Sequence, residues 1–136
     1  MSIKEENQTE NLLKLNRRFY EAIEGFNYQE MELIWSAGED TLCIHPGWEP
    51  VLGISKILAS WEAIFNTKQA LTFNLKNTRV YLSGELAVIT LIENLLYENG
   101  TEVVDINISC SNVFRMEKGE WRMVVHHSSP ASTVEN

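Results

Sequence analysis

The chain has 136 residues and a formal net charge of −8, from 19 acidic and 11 basic side chains. Its length fits one domain, and its 44% hydrophobic and 22% charged residues fit a folded globular chain rather than a disordered one. The negative charge argues against nucleic-acid and anionic-membrane partners, because both are polyanions. The sequence also lacks a P-loop, the cysteine pairs of a zinc finger and an apolar run of membrane-spanning length. We therefore expect one domain over residues 1–136, with an ordered core at about 3–130.

The two cysteines, Cys43 and Cys110, lie far apart, each within an apolar run. A small secreted protein that depends on disulfides usually has more cysteines, so the sequence predicts buried free thiols in a reducing compartment. Residues 1–6 are polar and lack the apolar core of a secretory signal. These features predict a cytoplasmic protein.

The first half of the chain predicts three helices and a short strand. Apolar residues recur at three- and four-residue steps between Leu12 and Phe26, and Gly25 is a typical helix stop. A second helix is expected from a cap at Asn27 to Gly38, followed by a strand over 41–45 and a loop over 46–52. A third helix begins at Gly53 or Ser55 and carries a stripe of apolar side chains, namely Ile54, Ile57, Leu58, Trp61, Ile64 and Phe65.

From Leu71 onward, apolar residues alternate as in β-strands. The alternation changes phase near Asn77, which predicts a bulge or bend in the first strand. Turn signals at Ser83-Gly84, Glu98-Asn99-Gly100 and Lys118-Gly119 separate further strands over 86–97, 103–116 and 121–129. Three helices followed by such strands predict an α+β fold, in which the helices cover one face of a curved, mainly antiparallel sheet and leave an internal cavity.

Three histidines are candidates for chemistry. His45 ends the short strand, immediately before Pro46, and is either a hydrogen-bonded core residue or a pocket residue. Adjacent strand residues face opposite sides, so His126 and His127 diverge. His127 alternates with Trp121, Met123 and Val125, which predicts that His127 points into the pocket and His126 towards solvent or a partner chain. Their spacing matches no zinc motif, and no metal is expected.

Three polar residues interrupt the apolar strands. Asn112 lies on an otherwise apolar face, where its amide either binds a ligand or ties down a neighbouring strand. Glu93 and Asn94 follow a strand that is apolar on both faces, so alternation does not decide which of them points inward. A carboxylate buried beside histidines is a usual general-base candidate, whereas an outward Glu93 would be a surface residue.

Several segments resemble the SnoaL-like branch of the nuclear transport factor 2-like (NTF2-like) superfamily. They are Cys43-Ile44-His45-Pro46-Gly47-Trp48, Gly53, Ser60-Trp61, Asn112-Val113-Phe114-Arg115 and the run from Trp121 to Pro130 with its His126-His127-Ser128 core. The resemblance implies a cone-shaped α+β barrel with a pocket between helices and sheet, and a homodimer through the outer sheet face. That face would carry Asp105, Asn107, Ser109 and Ser111, with His126 nearby.

The superfamily includes polyketide cyclases, ketosteroid isomerases and dehydratases, and also non-enzymatic transport and oligomerisation modules. No motif here matches the catalytic aspartate of the cyclases or isomerases. One hypothesis is a cofactor-independent enzyme in which His45, His127 and Glu93 act as general acid and base on an apolar carbonyl or hydroxyl compound. In this hypothesis Asn112 holds the developing oxyanion, and Trp48 and Trp61 form the pocket walls. The alternative is a ligand-binding or oligomerisation domain without catalysis.

Overall fold

Three helices and six strands make up the computed structural model, which describes residues 2–131. In chain order they are α1 (Ile3–Glu24), α2 (Tyr28–Ile34), β1 (Leu42–Ile44), β2 (Val51–Leu52), α3 (Ile54–Asn66), β3 (Thr72–Ser83), β4 (Leu86–Asn99), β5 (Glu102–Glu117) and β6 (Glu120–Pro130). No helix within residues 2–131 is long and apolar enough to cross a membrane. The predicted α+β fold is confirmed, and residues 132–136 lie outside the described part.

Local sequence signals set the helix ends. Ser2 and Glu5 form a reciprocal capping box at the start of α1, and Gly25 caps its end. The side chain of Asn27 accepts a hydrogen bond from the backbone of Glu30 and so begins α2. This helix ends earlier than the predicted Gly38, because Trp35 is already extended and forms a bridge to Met123 of β6.

All six strands belong to one sheet with the order β2-β1-β6-β5-β4-β3. The neighbouring pairs are antiparallel except β1 and β6, which are parallel. Strand β2 lies where the sequence predicted only a loop, and it pairs with β1 through two residues. The parallel pair places Ile44 opposite His127, so that the following residue, His45, lies close to the end of β6.

The predicted irregularity in β3 is confirmed. The pairing of β3 with β4 shifts register between Lys76 and Arg79, and Asn77 adopts a left-handed backbone with φ of 55°. Residues on both sides of the bulge pack against the core, Leu75 before it and Val80 after it, despite their opposite parity. One inserted residue therefore keeps the apolar side of β3 facing inward along its whole length.

A second bulge, in β6, overturns the predicted orientation of the paired histidines. Val113 pairs with Val125 and Phe114 pairs with Met123, so Val124 has no partner opposite it. This extra residue inverts the alternation, which places His126 inward at 2% exposure and leaves His127 exposed on the outer face. The prediction that His127 enters the pocket is wrong. Consequently His127, and not His126, accompanies the polar residues of the outer face.

Candidate functional site

A cavity of about 220 Å³ lies between the helices and the inner face of the sheet. Its wall is mostly apolar and is formed by Ile23, Pro46, Trp48, Trp61, Ile64, Leu71, Phe73, Leu95 and Ile108. Four polar side chains interrupt this wall, namely His45, Glu93, His126 and Ser128. A concave, mostly apolar pocket with a few convergent polar groups is the usual form of a small-molecule site.

His45 reaches the cavity from the end of β1 and is only 3% exposed. Its Nε2 lies 2.8 Å from Ser60 Oγ, and this hydroxyl donates to the Ile57 carbonyl at 2.6 Å. Because the hydroxyl hydrogen is engaged, Ser60 accepts from His45, and Nε2 is the protonated nitrogen. His45 Nδ1 therefore carries the lone pair.

His126 is held by side chains of β5 and of its own strand, β6. Its Nδ1 lies 2.6 Å from Asn112 Oδ1, and its Nε2 lies 3.0 Å from Ser128 Oγ. The Phe19 ring packs over the imidazole with a centroid distance of 4.7 Å. His126 is thus fixed on both nitrogens, with Ser128 at the cavity wall.

Glu93, and not Asn94, faces the cavity. The Tyr20 hydroxyl donates to Glu93 Oε2 at 2.5 Å, and Ser128 Oγ lies 3.5 Å from both carboxyl oxygens, at the outer limit of a hydrogen bond. Asn94 points to the other face, where its amide donates to Asp105 at 2.6 Å and to Asn107 at 3.1 Å. Strand alternation separates the two residues, and the pairing of β4 with β5 settles which one is inside.

Burial disfavours the charged forms of the polar groups at this site. It lowers the pKa of His45 to about 4 and that of His126 to about 3, where the charges of His45 and His127 contribute further. Burial raises the pKa of Glu93; the Tyr20 hydroxyl, which donates to the carboxyl group, opposes the shift most, and Cys110 and Ser128 oppose it less. Near neutral pH the two imidazoles are therefore uncharged, and burial favours the protonated form of Glu93 more than water does.

The three residues predicted to bind substrate, Trp48, Trp61 and Asn112, differ in their burial and in their position relative to the cavity. Trp61 is buried and contacts both histidines, with centroid distances of 4.6 Å to His45 and 6.0 Å to His126. Trp48 is 47% exposed at the cavity wall, 4.5 Å from the His45 ring. Asn112 is fully buried and lies behind His126, outside the residues that line the cavity. Its expected direct contact with a ligand oxyanion is therefore not supported.

Glu93, Cys110 and His126 bring potential metal-ligand atoms within 4.8 Å of one another. Each carboxyl or imidazole atom already has a hydrogen-bond partner within the protein. Burial also raises the pKa of the Cys110 thiol, although metal ligation requires the thiolate. The cluster therefore fits a hydrogen-bonded core better than a metal centre. Both cysteines are buried and free, as predicted.

Sequence reasoning missed Ser60, Ser128, Tyr20 and Asn16. Ser128 lies two residues after His126 and so shares its face, a signal hidden by the bulge in β6. Tyr20 and Asn16 lie one helical turn apart on α1, which directs both towards the sheet. Their polar partners on β4 and β5 are more than 70 residues away in sequence, and only the packed fold brings these groups together.

The family of this chain follows from its similarity to known proteins. Residues 12–133 match the family described as SnoaL-like domain. A solved candidate dehydratase of the NTF2-like family from Streptomyces avermitilis is similar, with 26% identity, coverage of 93% of this chain and 97% of that chain, and a TM-score of 0.87.

A solved candidate calcium/calmodulin-dependent protein kinase type II association domain from Thiobacillus denitrificans is 28% identical, with coverage of 87% and 93% and a TM-score of 0.78. The F-box protein SKIP8 of Arabidopsis thaliana is 28% identical over 121 residues, which are 89% of this chain. The chain spans 50% of the length of that curated relative. The family match covers most of the sequence and agrees with the cone-shaped α+β fold: the chain belongs to the SnoaL-like family of the NTF2-like superfamily.

Proposed function

We propose that the chain is a cofactor-independent acid–base enzyme that acts on a small, uncharged carbonyl or hydroxyl compound. The observation that carries the proposal is the presence of two buried imidazoles with lowered pKa and one carboxyl group with a raised pKa on the same apolar cavity wall. The likeness to a candidate dehydratase, at 26% identity, supports the same reaction class. This class includes dehydration, isomerisation and cyclisation, and the early step that these reactions share is enolisation of a carbonyl compound.

In this step the substrate displaces the Ser128 hydroxyl from His126 Nε2, this nitrogen removes a proton from the carbon next to the carbonyl group, and Glu93 donates its proton to the carbonyl oxygen. The C–H electron pair forms the C=C bond of the enol, so protons and electrons balance. The products on the protein are an imidazolium and a carboxylate, with Ser128 within 3.5 Å of both. The imidazolium and the carboxylate stabilise each other, because a nearby carboxylate raises the low pKa of His126.

The other cavity residues assist this step. His45 offers its unprotonated Nδ1 as a second base or as an acceptor for a substrate hydroxyl. Trp48 and Trp61 supply apolar walls, and the cavity volume of about 220 Å³ limits the substrate to a small compound. Among residues 2–131 no lysine or arginine lines the cavity, so an anionic substrate would lack a counter-charge from this part of the chain.

Enolisation predicts that the protein catalyses deuterium incorporation next to the carbonyl group of small cyclic ketones in D2O. We expect Glu93→Gln to lower the rate by about 10²–10⁴-fold, because glutamine cannot donate the proton. NMR of the ketone measures the exchange, and Glu98→Gln at the exposed end of β4 is the matched control. Equal rates for wild type and Glu93→Gln would contradict the proposal.

The second candidate function is assembly or ligand binding without catalysis, and the likeness to a candidate kinase association domain favours it. Ketones that bind, as seen by a concentration-dependent thermal shift, but exchange no deuterium would support this alternative. The same outcome would remove the enzymatic proposal.

We also propose a homodimer through the outer sheet face. This face contains a cleft of about 400 Å³ with Arg79, Ser109 and His127 on its wall. A dimer predicts a solution mass of about twice the 15.6 kDa of the chain. Ser109→Arg should shift the mass towards the monomer in light scattering, whereas Ser55→Arg, an equal change on exposed α3, should not. A monomeric wild type would exclude this dimer.

A further inference from the structure

The amide of Asn112 has a hydrogen-bond partner at every position. Its Nδ2 donates to Asn16 Oδ1 at 2.8 Å and to the Tyr20 hydroxyl at 3.2 Å. Its Oδ1 lies 2.6 Å from His126 Nδ1 and accepts from the Cys110 thiol at 3.3 Å. A primary amide has two donor hydrogens and two acceptor lone pairs, so these four contacts use its full capacity.

The direction of these bonds fixes the orientation of the amide. Tyr20 donates its only hydroxyl hydrogen to Glu93, so it accepts from Asn112 through its oxygen. The side of the Asn112 amide that faces Tyr20 and Asn16 is therefore the NH2 group, and the carbonyl oxygen faces His126. An acceptor beside Nδ1 requires that this nitrogen carries the hydrogen of the neutral imidazole.

We propose that Asn112 is a positioning residue that holds His126 in the Nδ1–H tautomer and, through Tyr20, orients Glu93. The lone pair of His126 is then on Nε2, the nitrogen next to Ser128 at the cavity wall. The buried Asn112 amide thus fixes the tautomer of His126 and the orientation of Glu93, the two groups that exchange protons with the substrate. Asn16 of α1 holds the amide in place through a hydrogen bond. The inference deepens the proposed function and rests on it for its catalytic meaning, but the tautomer itself is a separate property.

The first experiment is nitrogen-15 NMR of histidine-labelled wild-type protein near neutral pH, without any ligand. The sequence has three histidines, so His126→Gln identifies the His126 signals by their loss. We expect a protonated Nδ1 and an unprotonated Nε2 for His126. A protonated Nε2, or equal protonation of both nitrogens, would overturn the proposal whether or not the protein catalyses exchange.

Two variants then separate positioning from simple packing. Asn112→Asp keeps an acceptor for Nδ1–H, so we expect the same tautomer and a pKa of His126 above its value of about 3, because a carboxylate now adjoins the imidazole. Asn112→Leu removes the acceptor, so we expect a mixture of tautomers. Retention of a pure Nδ1–H tautomer in Asn112→Leu would overturn the proposal, and Asn7→Leu on the exposed side of α1 is the matched control.

Kinetics provide the last readout. Asn112 does not line the cavity, so Asn112→Leu should lower kcat for ketone deuterium exchange and leave KM within about twofold. A change confined to KM would mean that Asn112 contacts the substrate, which contradicts a positioning role. If the wild type lacks exchange activity while the NMR shows the Nδ1–H tautomer, the proposed function fails and the tautomer assignment stands.

Discussion

Replacement of His126 by glutamine should lower the rate of ketone deuterium exchange by about 10²–10⁴-fold, the range expected for the loss of a general base. The same replacement at His127 should leave the rate unchanged. The reason is the bulge at Val124, which turns His126 into the cavity and His127 onto the outer face. Exchange rates of the two purified variants, measured by NMR of the ketone, test the prediction.

The pair of variants is well matched because the residues are adjacent and undergo the same chemical change. A loss of activity in His127→Gln with a normal His126→Gln would mean that the bulge is absent and that simple alternation holds. The folding of His126→Gln can be checked by circular dichroism, since its imidazole is buried against Phe19 and Asn112. A folded variant with the wild-type rate would exclude His126 as the base.

A second large effect concerns stability in acid. His45 and His126 have pKa values of about 4 and about 3 in the folded protein, below the ordinary value of 6.5. Between these values and pH 6.5 the unfolded state binds more protons, so the free energy of unfolding falls as the pH falls. Each histidine contributes a slope of about 1 kcal/mol per pH unit. This contribution to stability is fully present above pH 6.5.

Glu93 acts in the opposite direction. Its pKa is raised from 4.5 by burial, so above pH 4.5 the unfolded state loses a proton that the folded state keeps. Its contribution therefore falls as the pH rises from 4.5 towards the folded pKa, and in that interval it opposes the two histidine slopes. Glu93→Gln should steepen the acid dependence, and His126→Gln should flatten it.

Urea unfolding monitored by tryptophan fluorescence at several pH values between 4.5 and 7.5 measures these slopes. The comparison uses differences between each variant and the wild type, so that contributions of other carboxylates cancel. His127→Gln is again the control, because its side chain is exposed. Parallel pH profiles for wild type, His126→Gln and Glu93→Gln would show that these groups are not buried as the structure has them.

Most of the fold was predictable because its signals are local. The capping box at Ser2 and Glu5, the stop at Gly25 and the cap at Asn27 act within a few residues of chain. The β3 bulge at Asn77 was also predictable, because polar residues interrupt the alternation and reveal the change of phase. The resemblance to the SnoaL-like family added the cone-shaped arrangement, which the family match confirms.

The β6 bulge left no such trace. Met123, Val124 and Val125 are all apolar, so either phase of alternation fits the segment, and the sequence favoured the wrong one. Its position is decided by pairing with β5, where Val113 and Phe114 take Val125 and Met123 as partners. The error moved His127 into the predicted site and His126 out of it, and it concealed Ser128.

Local patterns in the sequence predicted the three helices, every strand except β2, and the polar groups on the inner strands. The packing of the helices on the sheet brings His45, Glu93 and His126 to one cavity and places Asn112 behind His126. Helix caps and periodicity depend on residues that are close in sequence. The Tyr20–Glu93 and Asn16–Asn112 hydrogen bonds instead join residues that are 73 and 96 positions apart, and burial and the pKa shifts likewise depend on the packed fold. Such contacts form only when the helices pack onto the sheet.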